Sequence, residues 1–301
     1  MIQVRTLFSG EEDKKEYVLK CEETFEKRLD DAMVQLVADK NNRIITLSGP
    51  TCAGKTTTAK KIVSEFSERG YNVHTISIDD FYYDRDVLIA RSKDEKSIDF
   101  DSVNTIDLEL LENTIDQVFA GGTVSVPSFD FKSGKKIFTR EIETKKNDKF
   151  MFEGIQAVYP EVTALFRGHS FASVFISVFQ GLEAMGNIYR PEEIRFLRRI
   201  VRDYNFRNAS AEFTFNLWQN VRKNEQESIL PNVDKCKIII DSVMPYEICM
   251  LKPFLVPILK TLPSDSEYYE FAQSEIKKFS HIDVISKNYI PENSMYHEFL
   301  G

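Results

Sequence analysis

Apolar runs rich in β-branched and aromatic residues alternate along this chain with stretches in which apolar positions recur every three or four residues. Residues 43–48 (Arg43-Ile44-Ile45-Thr46-Leu47-Ser48) read as a buried strand, and Ala59, Ile62, Val63 and Phe66 mark a helix that Gly70 stops. Residues 71–78 form the next strand run and end in Asp79-Asp80-Phe81-Tyr82. Ile106, Leu108, Leu111, Ile115, Val118 and Phe119 predict a helix closed by Gly121-Gly122. Two alternating runs over about 123–144, joined across Lys132-Ser133-Gly134, predict a β-hairpin of the kind that serves as a lid. Further strands fall at 149–152, 173–178 and 237–241. A helix begins at Pro191-Glu192-Glu193 and runs to about 207. Ahead of all this, residues 1–42 predict a short strand, a charged turn over 11–16 and a helix from about 21 to 40, with Phe25, Leu29, Met33, Val34 and Val37 on its buried stripe. Beyond 241 the pattern is helical, over 245–262 and 266–279, with a short tail.

Strands alternating with helices predict an α/β fold with a mostly parallel sheet flanked by helices, a hairpin lid and a helical C-terminal extension. The expected divisions are 1–42, 43–245 and 246–301. The first strand, helix and second strand should form a right-handed βαβ unit, with the ligand crevice at the carboxyl ends of its strands. The segments after Ser48 and after Ile78 are therefore expected side by side.

With 301 residues and 42% hydrophobic content, the chain can bury a large core. The net charge of −8 argues against a nucleic-acid backbone as main partner. The four cysteines show no metal-ligand spacing, and no apolar stretch is long enough for a signal peptide or a membrane span. A cytoplasmic protein with a small-molecule substrate is expected.

The chemistry centres on Gly49-Pro50-Thr51-Cys52-Ala53-Gly54-Lys55-Thr56, which fits the spacing G-x-x-x-x-G-K-[ST] of a phosphate-binding loop. Its N–H groups, including those of Gly49, Thr51, Cys52, Ala53 and Gly54, are expected to converge on the phosphates of ATP or another nucleoside triphosphate. Lys55 would reach the β/γ-phosphates, Thr56 would place its hydroxyl on Mg²⁺, and Thr57 would add a donor from the helix start. Phosphoryl transfer also needs a base, a second metal ligand and positive charge on the moving group. Asp79 or Asp80 could supply the base. Glu153, at the end of a buried strand and before Gly154, could orient Mg²⁺ opposite Thr56. Arg195, Arg199 and Arg202 lie at i, i+4 and i+7 and point to a polyanionic ligand.

On these residues the chain resembles the phosphoribulokinase/uridine kinase family. Ile78-Asp79-Asp80-Phe81-Tyr82 is similar to its D-x-F-Y signature. Phe100-Asp101, the string 126–131, Phe152-Glu153-Gly154-Ile155 and the arginine-rich string 195–203 follow in the family's order. The resemblance implies a kinase that moves a γ-phosphate to a nucleoside 5′-hydroxyl, most readily of uridine or cytidine. It implies that Asp79 is the base and that Tyr82, Asp101 and Phe129 line the acceptor pocket. Arg199, Arg202 and Arg207 would close over the phosphates, and assembly as a homo-dimer or tetramer would be in keeping with the family.

Three features depart from the pattern. Gly134 stands where uridine–cytidine kinases usually carry a histidine, Arg207-Asn208-Ala209 replaces an R-G-R, and residues 180–190 read as an insertion. The acceptor therefore stays open between a nucleoside and another small hydroxyl compound, such as a sugar phosphate or a pantothenate-like molecule. A nucleotide-binding regulator without turnover is a third reading. No N-K-x-D guanine-reading motif supports a GTPase.

Overall fold

A computed structural model describes residues 1–92 and 98–301. After a two-residue strand, β1 (Ile2–Gln3), comes α1 (Glu11–Ala38). The core then runs β2 (Ile44–Ser48), α2 (Lys55–Glu68), β3 (Val73–Ser77), a 3-10 turn (Ile78–Phe81), α3 (Arg85–Arg91) and α4 (Leu108–Ala120). The hairpin follows as β4 (Gly122–Asp130) and β5 (Lys135–Thr144), then β6 (Lys149–Glu153), α5 (Pro160–Leu165) and β7 (Phe171–Ser177). A second hairpin, β8 (Leu182–Ala184) and β9 (Asn187–Tyr189), precedes α6 (Pro191–Arg207), α7 (Ala211–Asn224), β10 (Ile238–Asp241), α8 (Glu247–Leu259), α9 (Tyr269–Lys278) and α10 (His297–Leu300).

The central sheet has the order β10-β7-β2-β6-β3, with every pairing parallel. Helices cover both faces, which is why its strands are apolar almost throughout. The pleat divides their side chains in the usual two-residue period. Ile45, Leu47 and Met151 face a core shared with α1, α6 and α8, whereas Ile44, Phe150 and Phe152 face one shared with α4, the first hairpin and α5. β2 is central: the connection from β2 runs over to β3 and that from its neighbour β6 crosses back to β7, so the carboxyl ends of β2 and β6 flank the topological switch point of the sheet.

Three expectations need correction. β3 does not pair with β2, because β6 enters between them, so Glu153 rather than Asp79 ends the strand next to the phosphate loop. Helix α1 starts at Glu11, nearly three turns earlier than its apolar stripe indicates. Its acidic residues 11–13, read as a turn, sit instead at the positive end of the helix dipole. Val34 is 66% exposed, and Leu36 takes its place on the buried face. Residues 180–190, which read as an insertion, carry a hairpin: β8 pairs with both β1 and β9, giving the chain's first residues a small sheet to join. Helix α7 was not anticipated.

One buried ion pair ties these layers together. Arg198 of α6 is fully buried, and its guanidinium meets Glu247 at the start of α8 through two hydrogen bonds of 2.7 and 3.0 Å. The same group donates to the carbonyls of Ser242 and Cys52 at 2.8 and 3.2 Å. Removing one partner of such a pair leaves an uncompensated charge in the interior. Arg198→Met should therefore cost about 3–5 kcal/mol in urea unfolding. Arg198→Met combined with Glu247→Met should recover part of that loss, which a comparison of the two unfolding curves checks.

Candidate active site

The turn after β2 is built by sterics before any side chain acts. A Cβ on Gly49 would stand 2.2 Å from the Ile176 carbonyl oxygen of β7, so no other residue fits without moving that strand. Cys52 and Gly54 both have positive φ, 57° and 95°, which turns the backbone N–H groups of the loop outward. The loop carbonyls are held from behind by α6. Arg195 donates to Thr51 O at 3.3 Å, Arg198 to Cys52 O at 3.2 Å, and Arg202 to Thr51 Oγ1 at 3.3 Å. Ala53 is buried at the loop's apex. Lys55 folds back along the turn, donating to Gly49 O at 2.7 Å and Pro50 O at 3.2 Å. Burial holds its pKa below the usual lysine range, against the opposing pull of Glu153 and Asp79.

Those two carboxylates bring the base and metal candidates together around one ammonium group. Glu153 ends β6, and burial raises its pKa, with Ser77 and Lys55 acting the other way. It lines one hollow with Thr56 of α2 and Thr75 of β3. Asp79 lies on the turn after β3, where burial likewise raises its pKa. The adjacent pair divides its work. Asp80 accepts from Phe129 N at 2.9 Å, pinning the first hairpin to the sheet, while Asp79 accepts from the Tyr82 hydroxyl at 3.1 Å. Phe100 O, 2.9 Å from the same hydroxyl, shares that one proton, and the hydroxyl oxygen accepts from Gln156 Nε2 at 3.0 Å. Gln156 is fully buried, on the turn after Gly154, and sequence reasoning passed over it.

Beyond Asp79 opens a cavity of about 700 Å³, whose walls include Phe100, Asp101, Tyr159, Arg199, Asn220 and Asn224. Asp101 and Arg199 thus share one wall. Neither Tyr82 nor Phe129 lines it: both are buried behind it, with the Phe129 ring edge-on against Tyr82 at a centroid distance of 5.5 Å. More than a third of the wall comes from α7 and the π-helical turn after it (Glu225–Ile229), elements with no counterpart in the sequence reading. Tyr159 and Asn224 hydrogen-bond across it, with Asn224 Nδ2 donating to the Tyr159 hydroxyl at 2.8 Å.

The arginine helix does not present its charges as one free face. Arg195, expected on a polyanion, is paired with the buried Glu225 at 2.6 and 2.7 Å and supports the loop from behind. Arg199, Arg202 and Arg207 gather instead around the buried Asp203, at 3.1, 2.7 and 3.5 Å. Three guanidiniums against one carboxylate leave two positive charges between the loop and the cavity. Arg207 is the most exposed of the three. At the far side of the loop, Thr57 donates both its N–H and its hydroxyl to Glu298 at 2.7 Å, a contact across 241 positions of sequence. No helix among the described residues is long and apolar enough to cross a membrane.

The model of the phosphoribulokinase / uridine kinase family matches residues 44–248, from the start of β2 into α8. The uridine kinase of Ureaplasma parvum serovar 3 is 25% identical over 181 residues, covering 60% of this chain and 78% of that one. The uridine kinase of Mycoplasma genitalium is 28% identical over 213 residues, 69% of this chain and 87% of its own. A solved structure of a possible uridine kinase from Bacillus stearothermophilus overlaps 72% of this chain and 98% of that one, at 17% identity and a TM-score of 0.48.

The cavity carries its own pH signature. Burial, with Asp99 adding to it and Arg199 opposing, pushes Asp101 up to about 6 from the 3.8 of an ordinary aspartate. The folded chain thus holds this proton more tightly than the unfolded one. The cost of an ionised Asp101 is absent well below the ordinary value and complete above the raised one, so this group's contribution to stability falls as pH rises between them. Asp101→Asn should be more stable than the parent above pH ~6, by on the order of 2 kcal/mol, and equal to it below pH ~4. Thermal unfolding of both proteins across that window checks the sign.

Proposed function

The chain belongs to the phosphoribulokinase/uridine kinase family, and we propose that it transfers the γ-phosphate of ATP, or of another nucleoside triphosphate, to the 5′-hydroxyl of a nucleoside, uridine or cytidine foremost. The observation that carries this reading is the convergence of Lys55, Glu153 and Asp79 at the switch point of the sheet, with the cavity of Asp101 and Arg199 beyond. In this reading the N–H groups of Gly49, Thr51, Cys52, Ala53, Gly54, Lys55, Thr56 and Thr57 cradle the phosphates. Lys55 leaves the carbonyls of Gly49 and Pro50 for the β/γ-phosphates.

Thr56 and Glu153 would hold Mg²⁺. One hydroxyl and one carboxylate lining a common hollow suit an ion that keeps most of its shell as water and substrate phosphate. When bound, the metal neutralises charge on the β/γ oxygens. The chain's own residues do the rest. Asp79 accepts the proton of the acceptor hydroxyl as its oxygen attacks the γ-phosphorus and the bond to the β-phosphate oxygen breaks, releasing the diphosphate. Tyr82 fixes the carboxylate's orientation. Asp101 takes hydrogen bonds from vicinal hydroxyls of the acceptor, and Arg199, Arg202 and Arg207 face the charge that develops on the transferring group.

A second acceptor class is favoured by one contact. A Cβ on Gly134 would stand 2.7 Å from Cβ of Arg85, so the position where the resembling kinases carry a base-reading histidine is closed here by α3. A small polyhydroxyl compound other than a pyrimidine nucleoside fits that geometry.

A screen of ADP release with uridine, cytidine, purine nucleosides and sugar phosphates separates these acceptors. With the best one, Asp79→Asn should lower turnover by about 10²–10⁴-fold while leaving ATP affinity within about threefold. Lys55→Ala should damage both. Because burial raises the pKa of Asp79, the acid limb of the turnover profile should lie above the ordinary aspartate range. An unchanged rate in the Asp79 variant would contradict its assignment as base.

A further inference from the structure

The end of the chain is built into the phosphate-binding turn. Met295, Tyr296 and Phe299 are fully buried. The Tyr296 hydroxyl donates to Glu247, the Ser294 hydroxyl donates to Glu22 at 2.6 Å, and Asn205 Nδ2 donates to Phe299 O at 3.2 Å. Met295 Sδ lies 3.0 Å from where a Cβ on Gly54 would stand, so this segment touches the loop's second glycine directly. These anchors come from α1, α6 and α8, and they fix the backbone of residues 294–300 independently of the loop. The side chain of Glu298, partly exposed, is the part left to move.

From that fixed backbone Glu298 reaches the first turn of α2. A single carboxylate oxygen, Oε1, accepts both the N–H and the hydroxyl of Thr57 at 2.7 Å. The N–H groups of a helix's first turn have no acceptor inside the helix, and with the positive dipole end they attract an anion. In a phosphate-binding loop these same groups cradle the α/β-phosphates of the nucleotide. Carboxylate and phosphate oxygen therefore compete for one donor pair. The charge of Glu298 is felt across the site, since it acts on Lys55 and on Arg202.

We infer that Glu298 is a donor-site residue: its carboxylate stands where an oxygen of the α/β-phosphates would bind, and nucleotide binding displaces it from Thr57. The inference rests on the donor-site reading above and adds a residue that lies outside the family match. Its consequence is selective. A ligand must bring an anionic group able to replace the carboxylate at Thr57, which nucleoside di- and triphosphates do and nucleosides do not. Once displaced, the carboxylate stays tethered beside the phosphates and repels them, so the parent protein binds nucleotides more weakly than the loop alone would.

Calorimetric titration of the full chain with ATP and with ADP, each with Mg²⁺, tests this in the parent, Glu298→Gln and Glu298→Ala, with Lys55→Ala as the control for binding at the loop. Glutamine keeps an acceptor for Thr57 and removes the charge, whereas alanine removes both. Both variants should bind ATP about tenfold more tightly than the parent, with a smaller gain for ADP, and neither should change uridine binding. Parent binding that Lys55→Ala weakens, together with unchanged or weaker binding in both Glu298 variants, overturns the role given to Glu298 and leaves the donor site standing. Absence of ATP binding in the parent and both variants overturns the donor site and this inference together.

Discussion

The structure depends on keeping one short turn of backbone, Gly49 to Gly54, in a conformation that its own sequence does not favour. Cys52 sits at positive φ without being glycine, a cost that surrounding contacts have to offset. The offset comes from α6. Three of its arginines reach the turn from behind, on Thr51 O, Cys52 O and Thr51 Oγ1, so the carbonyls are occupied and the N–H groups face the crevice. Two of these arginines are themselves balanced by buried acids, Glu225 for Arg195 and Glu247 for Arg198. The acids stand on different elements, one after α7 and one at the start of α8. Elements far apart in sequence are thereby committed to the shape of a six-residue turn.

The same arrangement sets the electrostatics of the site. The crevice holds Glu153, Asp79 and Asp101, all with pKa values raised by burial, against Lys55 and the arginine group around Asp203. Both signs meet on each side of the cleft: Lys55 stands by Glu153 and Asp79 on the phosphate side, and Arg199 shares the cavity wall with Asp101 on the acceptor side, where the carboxylate has lost much of its hydration. A carboxylate with a raised pKa is a stronger proton acceptor once ionised, which suits a base acting on a hydroxyl. Tyr82 and Gln156 couple the two sides mechanically, because one hydroxyl joins the base, the acceptor-side loop at Phe100 and the turn that follows Glu153.

Much of this was legible in the sequence where chemistry is local. Gly49, Gly54, Lys55 and Thr56 announce the turn because its backbone needs those residues at those spacings. The strand runs were readable because both faces of a covered sheet demand apolar residues. The order of strands was not, since nothing in 149–153 says that it inserts between its two predecessors. The arginines of α6 show the limit of pattern reading most clearly. Their clustering signalled a function, yet helical spacing could not tell Arg195 and Arg198, each tied to its own buried acid behind the loop, from Arg199 and Arg202, which share Asp203. That distinction lies in Glu225 and Glu247, 30 and 49 positions downstream. Glu298 was hidden for the same reason: an acid in a short tail carries no local sign of the helix it caps. The wall supplied by Asn220 and Asn224 was likewise out of reach, because α7 offers a partly apolar stripe and no motif.

The central claim is that the turn after β2 and the carboxylate of Asp79 face each other across one reacting phosphorus. A crystal structure of the chain with Mg²⁺ and a non-hydrolysable ATP analogue measures this most directly. The account predicts the β- and γ-phosphates within the turn from Gly49 to Thr56, and the Asp79 carboxylate directed between the γ-phosphate and the cavity of Asp101. An analogue bound elsewhere, or an Asp79 carboxylate turned away from the γ-phosphate, would contradict it.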